Sequence, residues 1–75
     1  MSERKPPQKG EQWVHAKTQN LYDIVTICTI EKNLVPAVAY RRSGYQADPT
    51  VWIRPLAEFM SLNDEGANRF NRFTL

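Results

Sequence analysis

The chain has one histidine and one cysteine, His15 and Cys28, so the chemistry open to its side chains is narrow. Nucleophilic catalysis by a thiolate would need Cys28 beside His15, with an orienting carboxylate such as Asp23. Cys28 lies within LYDIVTICTI, Leu21–Ile30, the segment richest in apolar and β-branched residues. A thiol buried in such a segment behaves as a small hydrophobe with a raised pKa, so a core cysteine is expected. His15 stands two residues after Trp13 and is expected to be a structural, hydrogen-bonding histidine. No second His or Cys exists to build a zinc-type site, so no metal is assigned. Asp64-Glu65 precedes Gly66 in a polar stretch, which predicts a solvated loop rather than an acid/base pair. Gly10, Gly44 and Gly66 are too far apart for a phosphate-cradling loop, and no cofactor is assigned. The sequence therefore predicts a non-catalytic protein.

A second kind of chemistry recurs along the chain. A strand places residues i and i+2 on one face. Trp13/His15, Tyr40/Arg42, Trp52/Arg54 and Phe70/Arg72 each set an aromatic ring and a potential cation at that spacing. Converging faces of this kind hold a peptide, a carboxylate or a single-stranded nucleic acid by stacking and cation–π contact. The competing arrangement has the rings filling the core and the basic heads in water at strand ends. The candidate partner-binding residues are Trp13, His15, Tyr40, Arg42, Trp52 and Arg54. Trp52/Arg54 is the leading pair, with Val51 and Ile53 expected on the core side of the same strand. Arg54 also stands four residues before Glu58, a spacing that pairs them on a helical turn.

The elements that must position these residues are short and β-like. Trp13–Ala16, Leu21–Ile30, Pro36–Arg41 and Val51–Arg54 are expected strands, the second central and covered on both faces for part of its length. Glu31–Asn33 is a turn, and Ser43–Thr50, with Gly44, Asp48 and Pro49, is a loop. In Pro55–Met60 the period changes: Leu56, Phe59 and Met60 fall at i, i+3 and i+4, and Pro55 suits the first helical position. One helical turn is expected there, then a polar loop over Ser61–Asn68. The tandem Asn-Arg-Phe of Asn68–Phe73 predicts a last strand with Phe70 and Phe73 on opposite faces. Met1–Gly10 has Pro6-Pro7 and no large apolar side chain to bury, so a disordered tail is expected before a single domain over 11–75. Four to five strands with a helical turn before the last describe a small all-β barrel, which also removes open sheet edges.

The run Trp13-x-His15, Leu21-Tyr22, Val38-Ala39-Tyr40-Arg41 and Val51-Trp52-Ile53-Arg54-Pro55-Leu56-x-x-Phe59 resembles a family of short bacterial and phage proteins, the domain of unknown function numbered sixteen-fifty-three. The resemblance covers about residues 12–60, and VWIRPLAEF is its most specific block. The chain departs from the family pattern at Gln19-Asn20, where a glycine usually precedes the Leu-Tyr pair. The resemblance implies a small SH3-like β-barrel and no particular activity. The extension after Met60 is more like phage-encoded versions.

Composition sets the remaining bounds. Seventy-five residues, 41% hydrophobic and 24% charged, suit one soluble globular domain with a small core. One cysteine precludes an internal disulfide and fits a reducing cytoplasm. The first ten residues lack the apolar run of a signal peptide, and no segment reaches the roughly 18–20 apolar residues of a membrane span. The net charge of +2 sits in residues 1–10, where Arg4, Lys5 and Lys9 face Glu3. The body from residue 11 onward is neutral, which disfavours a polyanion as partner. The expected function is a protein-interaction module, with a phage-encoded modulator of a host or phage complex as its setting. The alternative is a small nucleic-acid-binding barrel that uses the aromatic and basic surface.

Overall fold

The computed structural model describes residues 5–44 and 50–74. Five antiparallel strands and one helical turn make up the fold: β1 Gln12–His15, β2 Leu21–Ile30, β3 Val35–Arg42, β4 Trp52–Pro55, α1 Leu56–Phe59 and β5 Phe70–Phe73. The sheet runs in the order β4-β3-β2-β1-β5. This is the all-β, SH3-like arrangement with its helical turn before the last strand. The sheet is barrel-like but is not closed by pairing of β4 with β5.

The strands form where β-branched and aromatic residues cluster, and their register sets which side chains meet. Trp13 stands opposite Tyr22 on β2 and Arg72 on β5, and His15 stands opposite Phe70. Tyr40 pairs with Ile24 on one side and Trp52 on the other. A bulge between Ile24 and Thr26 shifts the β2–β3 register. Bulges of this kind bend the strand and increase its twist. Beyond it, Thr26, Ile27 and Thr29 are exposed, because β2 runs on past its pairing with β1 while only β3 stays beside it. Burial of β2 on both faces is thus confined to the neighbourhood of Ile24. Cys28 is correspondingly half-buried, its Sγ 3.7 Å from the Ala37 carbonyl, and stands outside the core cluster.

Pro55 ends β4 with extended dihedrals (φ −53°, ψ 139°) and caps α1 from outside, one position earlier than its expected place within the turn. The i, i+3, i+4 pattern then does what its spacing predicts: Phe59 is fully buried, and Leu56 and Met60 pack against the core. Phe59 stacks on Phe70 at 4.1 Å and 9° and meets Trp13 edge-on at 5.3 Å. Trp13, Ile24, Val38, Tyr40, Phe59 and Phe70 form the core. Phe70 is buried and Phe73 exposed, as expected for opposite faces of β5. Between α1 and β5, Asn63 folds the loop on itself, its Oδ1 accepting the backbone N–H groups of Glu65 and Ala67. Gln19 closes the β1–β2 turn at φ +62°, a left-handed conformation that favours glycine, and its side-chain amide donates to the Ala16 carbonyl.

The expected N-terminal tail requires correction over residues 5–10, which dock on the barrel; residues 1–4 of that tail, and 45–49 of the loop expected over Ser43–Thr50, lie outside the described residues. Pro7 is among the most deeply buried side chains. The Gly10 N–H donates to the Ile24 carbonyl at 3.0 Å, and the Ile24 N–H donates to the Glu11 carbonyl at 2.8 Å. Arg72 is the clamp: its Nη2 donates to the Lys5 and Pro6 carbonyls, both at 3.2 Å, and its Nε lies 3.0 Å from Glu11 Oε2. The same guanidinium lies over the Trp13 ring at 4.8 Å. A proline carries little side-chain entropy to lose, so its burial and two carbonyl bonds to a charged donor offset the cost of ordering.

Deleting residues 1–7 is therefore expected to lower the melting temperature by at least about 5 °C, since about 1 kcal/mol moves a domain of this size by 4–8 °C. Arg72→Ala should produce a drop of the same sign, and the two changes should combine less than additively. Thermal unfolding followed by circular dichroism measures both; an unchanged midpoint on deletion would contradict the docked segment.

Candidate functional site

Trp52, on edge strand β4, is 39% exposed, whereas Tyr40 beside it on β3 is 5% exposed. Their rings lie 6.1 Å apart at 34°. Tyr22 on β2 meets both edge-on, at 5.4 Å from Tyr40 and 6.0 Å from Trp52. Phe70 approaches from β5 at 5.7 Å from Tyr40, and His15 packs edge-on against Phe70 at 5.0 Å. Arg54, two residues along β4 from Trp52, reaches over Phe70 at 5.8 Å, and its Nε donates to the Tyr40 hydroxyl at 3.3 Å. Together with Thr18, these side chains line a cavity of about 220 Å³.

The structure thus brings His15, Tyr40, Trp52 and Arg54 to one place and sends the other candidates elsewhere. Trp13 shares the face of His15 but is 1% exposed, roofed by Phe59 and Arg72, with its indole N–H donating to Glu11 at 3.2 Å. It is a core residue and not a contact surface. Arg42 donates from Nη2 to Asn20 Oδ1 at 3.0 Å, tying the β1–β2 turn to the end of β3, outside the cavity lining. Arg72 is committed to the N-terminal segment. Val51 and Ile53, expected on the core side of β4, are exposed, because β4 is an edge strand and Trp52 and Arg54 take its inner face. Tyr22, Thr18 and Phe70 complete the site. In the sequence Phe70 is marked only by its aromatic–cation pair with Arg72, and Tyr22 only by the Leu21-Tyr22 pair that opens the β2 segment.

Arg54 also makes the expected i, i+4 ion pair with Glu58, at 3.4 Å. His15 is held by the turn that follows β1: the Thr18 N–H and hydroxyl lie 3.4 and 3.3 Å from Nδ1. A backbone N–H can only donate, so Nδ1 is the acceptor and the ring proton resides on Nε2. Burial, and then the positive charges of Arg54, Arg69 and Lys17, hold the His15 pKa below its ordinary value. The imidazole is therefore neutral at pH 7.

His15, Cys28 and Asp23 do not meet. Asp23 accepts from Gln12 Nε2 at 3.1 Å on the opposite face of the sheet from His15, and Cys28 lies on β2 beyond its pairing with β1. Among the described residues no three His, Cys, Asp or Glu side chains converge in a way that could hold a metal ion. Among the same residues no helix is long and apolar enough to cross a membrane. A wider, open groove of about 760 Å³ lies between the N-terminal segment, β2 and the end of β5. Of the charged groups that line it, Glu11 and Arg72 pair with each other at 3.0 Å, and Asp23 accepts from Gln12. The chain matches no known family model, no curated protein and no solved structure.

The lowered pKa of His15 gives stability a signed pH dependence. The unfolded chain binds the His15 proton more tightly than the folded one. Stability should thus fall as pH drops from about 6.5 toward the folded value. Burial opposes ionisation of Glu11, but bonds from the Gln8 N–H, Arg72 and the Trp13 indole outweigh it and hold its carboxyl below the ordinary range. Its contribution is lost only at lower pH. Melting temperatures of wild type and His15→Gln between pH 7.5 and 3 check this: the variant should lose the decline that begins below about 6.5 and keep the later acid transition. An identical decline in both would contradict the assignment.

Proposed function

We propose that this protein is a small non-catalytic protein-interaction module and that the aromatic cavity bounded by His15, Tyr22, Tyr40, Trp52, Arg54 and Phe70 is its contact site. The observation that carries the reading is the placement of Trp52 and Arg54. A half-exposed tryptophan and an arginine stand at the mouth of a cavity walled by the buried rings of Tyr40 and Phe70 and the partly buried rings of Tyr22 and His15. Trp, Tyr and Arg dominate interface energetics when they sit on a rigid, partly desolvated support. The neutral body of the chain supports a protein partner over a polyanion. The resemblance of VWIRPLAEF to short bacterial and phage proteins supports a partner within a host or phage complex. The single cysteine is in keeping with a reducing cytoplasm.

The test is capture of partners from bacterial lysate by immobilised wild type and by a Trp52→Ala, Arg54→Ala variant. The variant should stay folded, since both side chains are partly exposed, and should lose the specifically captured proteins. Full retention of those proteins would remove the cavity as the contact site. Binding of single-stranded oligonucleotide that weakens steeply between low and moderate salt would instead favour the nucleic-acid reading.

A further inference from the structure

The cavity has a chemical polarity that its ring of aromatics alone does not convey. Among the described residues that line it, none is acidic. Its polar groups are hydrogen-bond donors with capacity to spare. Arg54 uses Nε on Tyr40 and Nη1 on Glu58, which leaves Nη2 open. The Tyr40 hydroxyl accepts from Arg54 and so keeps its own proton to donate. His15 accepts at Nδ1 and carries its proton on Nε2. Arg69 adds positive potential nearby, its side chain hydrogen-bonding to the neutral oxygens of Ser61 and Leu62, whereas the Lys17 charge is paired with Asp64 at 3.8 Å. A guanidinium in the wall repels a cation, so a cage for an ammonium group is disfavoured. At about 220 Å³ the space lies below the roughly 300–1,000 Å³ of sites that engulf drug-sized ligands. It suits one residue.

An apolar side chain and a carboxylate borne on neighbouring atoms satisfy both halves of such a site, and the last residue of a polypeptide carries both on one Cα. We propose that the cavity captures the C-terminal residue of a partner chain, its apolar side chain against Trp52, Tyr22 and Phe70 and its carboxylate on Arg54 and the Tyr40 hydroxyl. The inference rests on the protein-interaction reading and specifies the partner's chemistry. Terminal carboxylates are a recurring recognition element, and a charge-assisted bond to arginine is stronger than a neutral one.

The probes are N-acetyl-Gly-Gly-Xaa tripeptides with Leu, Phe or Tyr at Xaa, each as free acid and as C-terminal amide, titrated calorimetrically at low salt. At least one acid should bind at least tenfold more tightly than its amide. Arg54→Gln should bring that acid to the affinity of the amide. Tyr40→Phe, which keeps the ring and removes the donor, should weaken the acid severalfold and leave the amide unchanged. Equal affinity of acid and amide, or no saturable binding of any acid at millimolar concentration, would overturn the proposal. If acid and amide bind equally and Trp52→Ala abolishes both, the interaction module stands and only the carboxylate is wrong. If no tripeptide binds but oligo-dT does, and salt removes it, both fall.

Discussion

A sheet of five short strands whose edges do not pair needs something other than backbone hydrogen bonds to hold its open side together. Here that role falls to the stack of Phe59 on Phe70. One ring comes from the single helical turn and the other from the last strand, so their contact joins the two ends of the open sheet. Removing a buried Phe from a core this small should cost about 3–5 kcal/mol, a large fraction of the 5–15 kcal/mol by which domains are stable at all. Everything else in the molecule is arranged around this contact. Trp13 meets Phe59 edge-on from one side, and Tyr40 touches both stacked rings from the other.

The same rings serve the candidate site. Tyr40 and Phe70 are buried on their core sides and present their remaining surface to the cavity, where Tyr22 and Trp52 complete the wall. A chain with eight aromatic residues has too few to build a core and a separate binding surface. Sharing them makes the site rigid, because its floor is the core itself. The two functional arginine positions divide the labour. Arg72, at one end of the β1–β5 pair, is consumed in holding the N-terminal segment, Glu11 and Trp13. Arg54, on the far edge strand, keeps part of its guanidinium directed at the cavity.

Much of this was legible in the residues. The density of β-branched residues in LYDIVTICTI marked β2 over its full length, and Leu56, Phe59 and Met60 located α1 and its buried face. The i, i+2 pairs also identified Trp52/Arg54, the pair at the cavity mouth. What could not be read was depth along a face. Trp13 and His15 share one side of β1, but only the covering of α1 makes the first core and leaves the second at the cavity. Membership of Tyr22 and Phe70 depends on cross-strand register, which a single strand's spacing does not contain. The docking of Pro7 was illegible for a related reason. Its segment has no apolar pattern of its own and is held by an arginine at the other end of the chain.

The central claim is that the shared aromatic cluster around Trp52 and Arg54, and no other surface, receives the partner. Chemical-shift mapping on the ¹⁵N-labelled protein with a captured partner, or a segment of it, tests this most directly. The two tryptophan indole N–H signals report on opposite environments. The account predicts that the Trp52 signal and the backbone amides of His15, Thr18, Arg54 and Phe70 shift together, while the Trp13 indole, held by Glu11, stays in place. Shifts centred instead on Lys9, Arg41 and Phe73 along the open groove, with Trp52 unmoved, would contradict it.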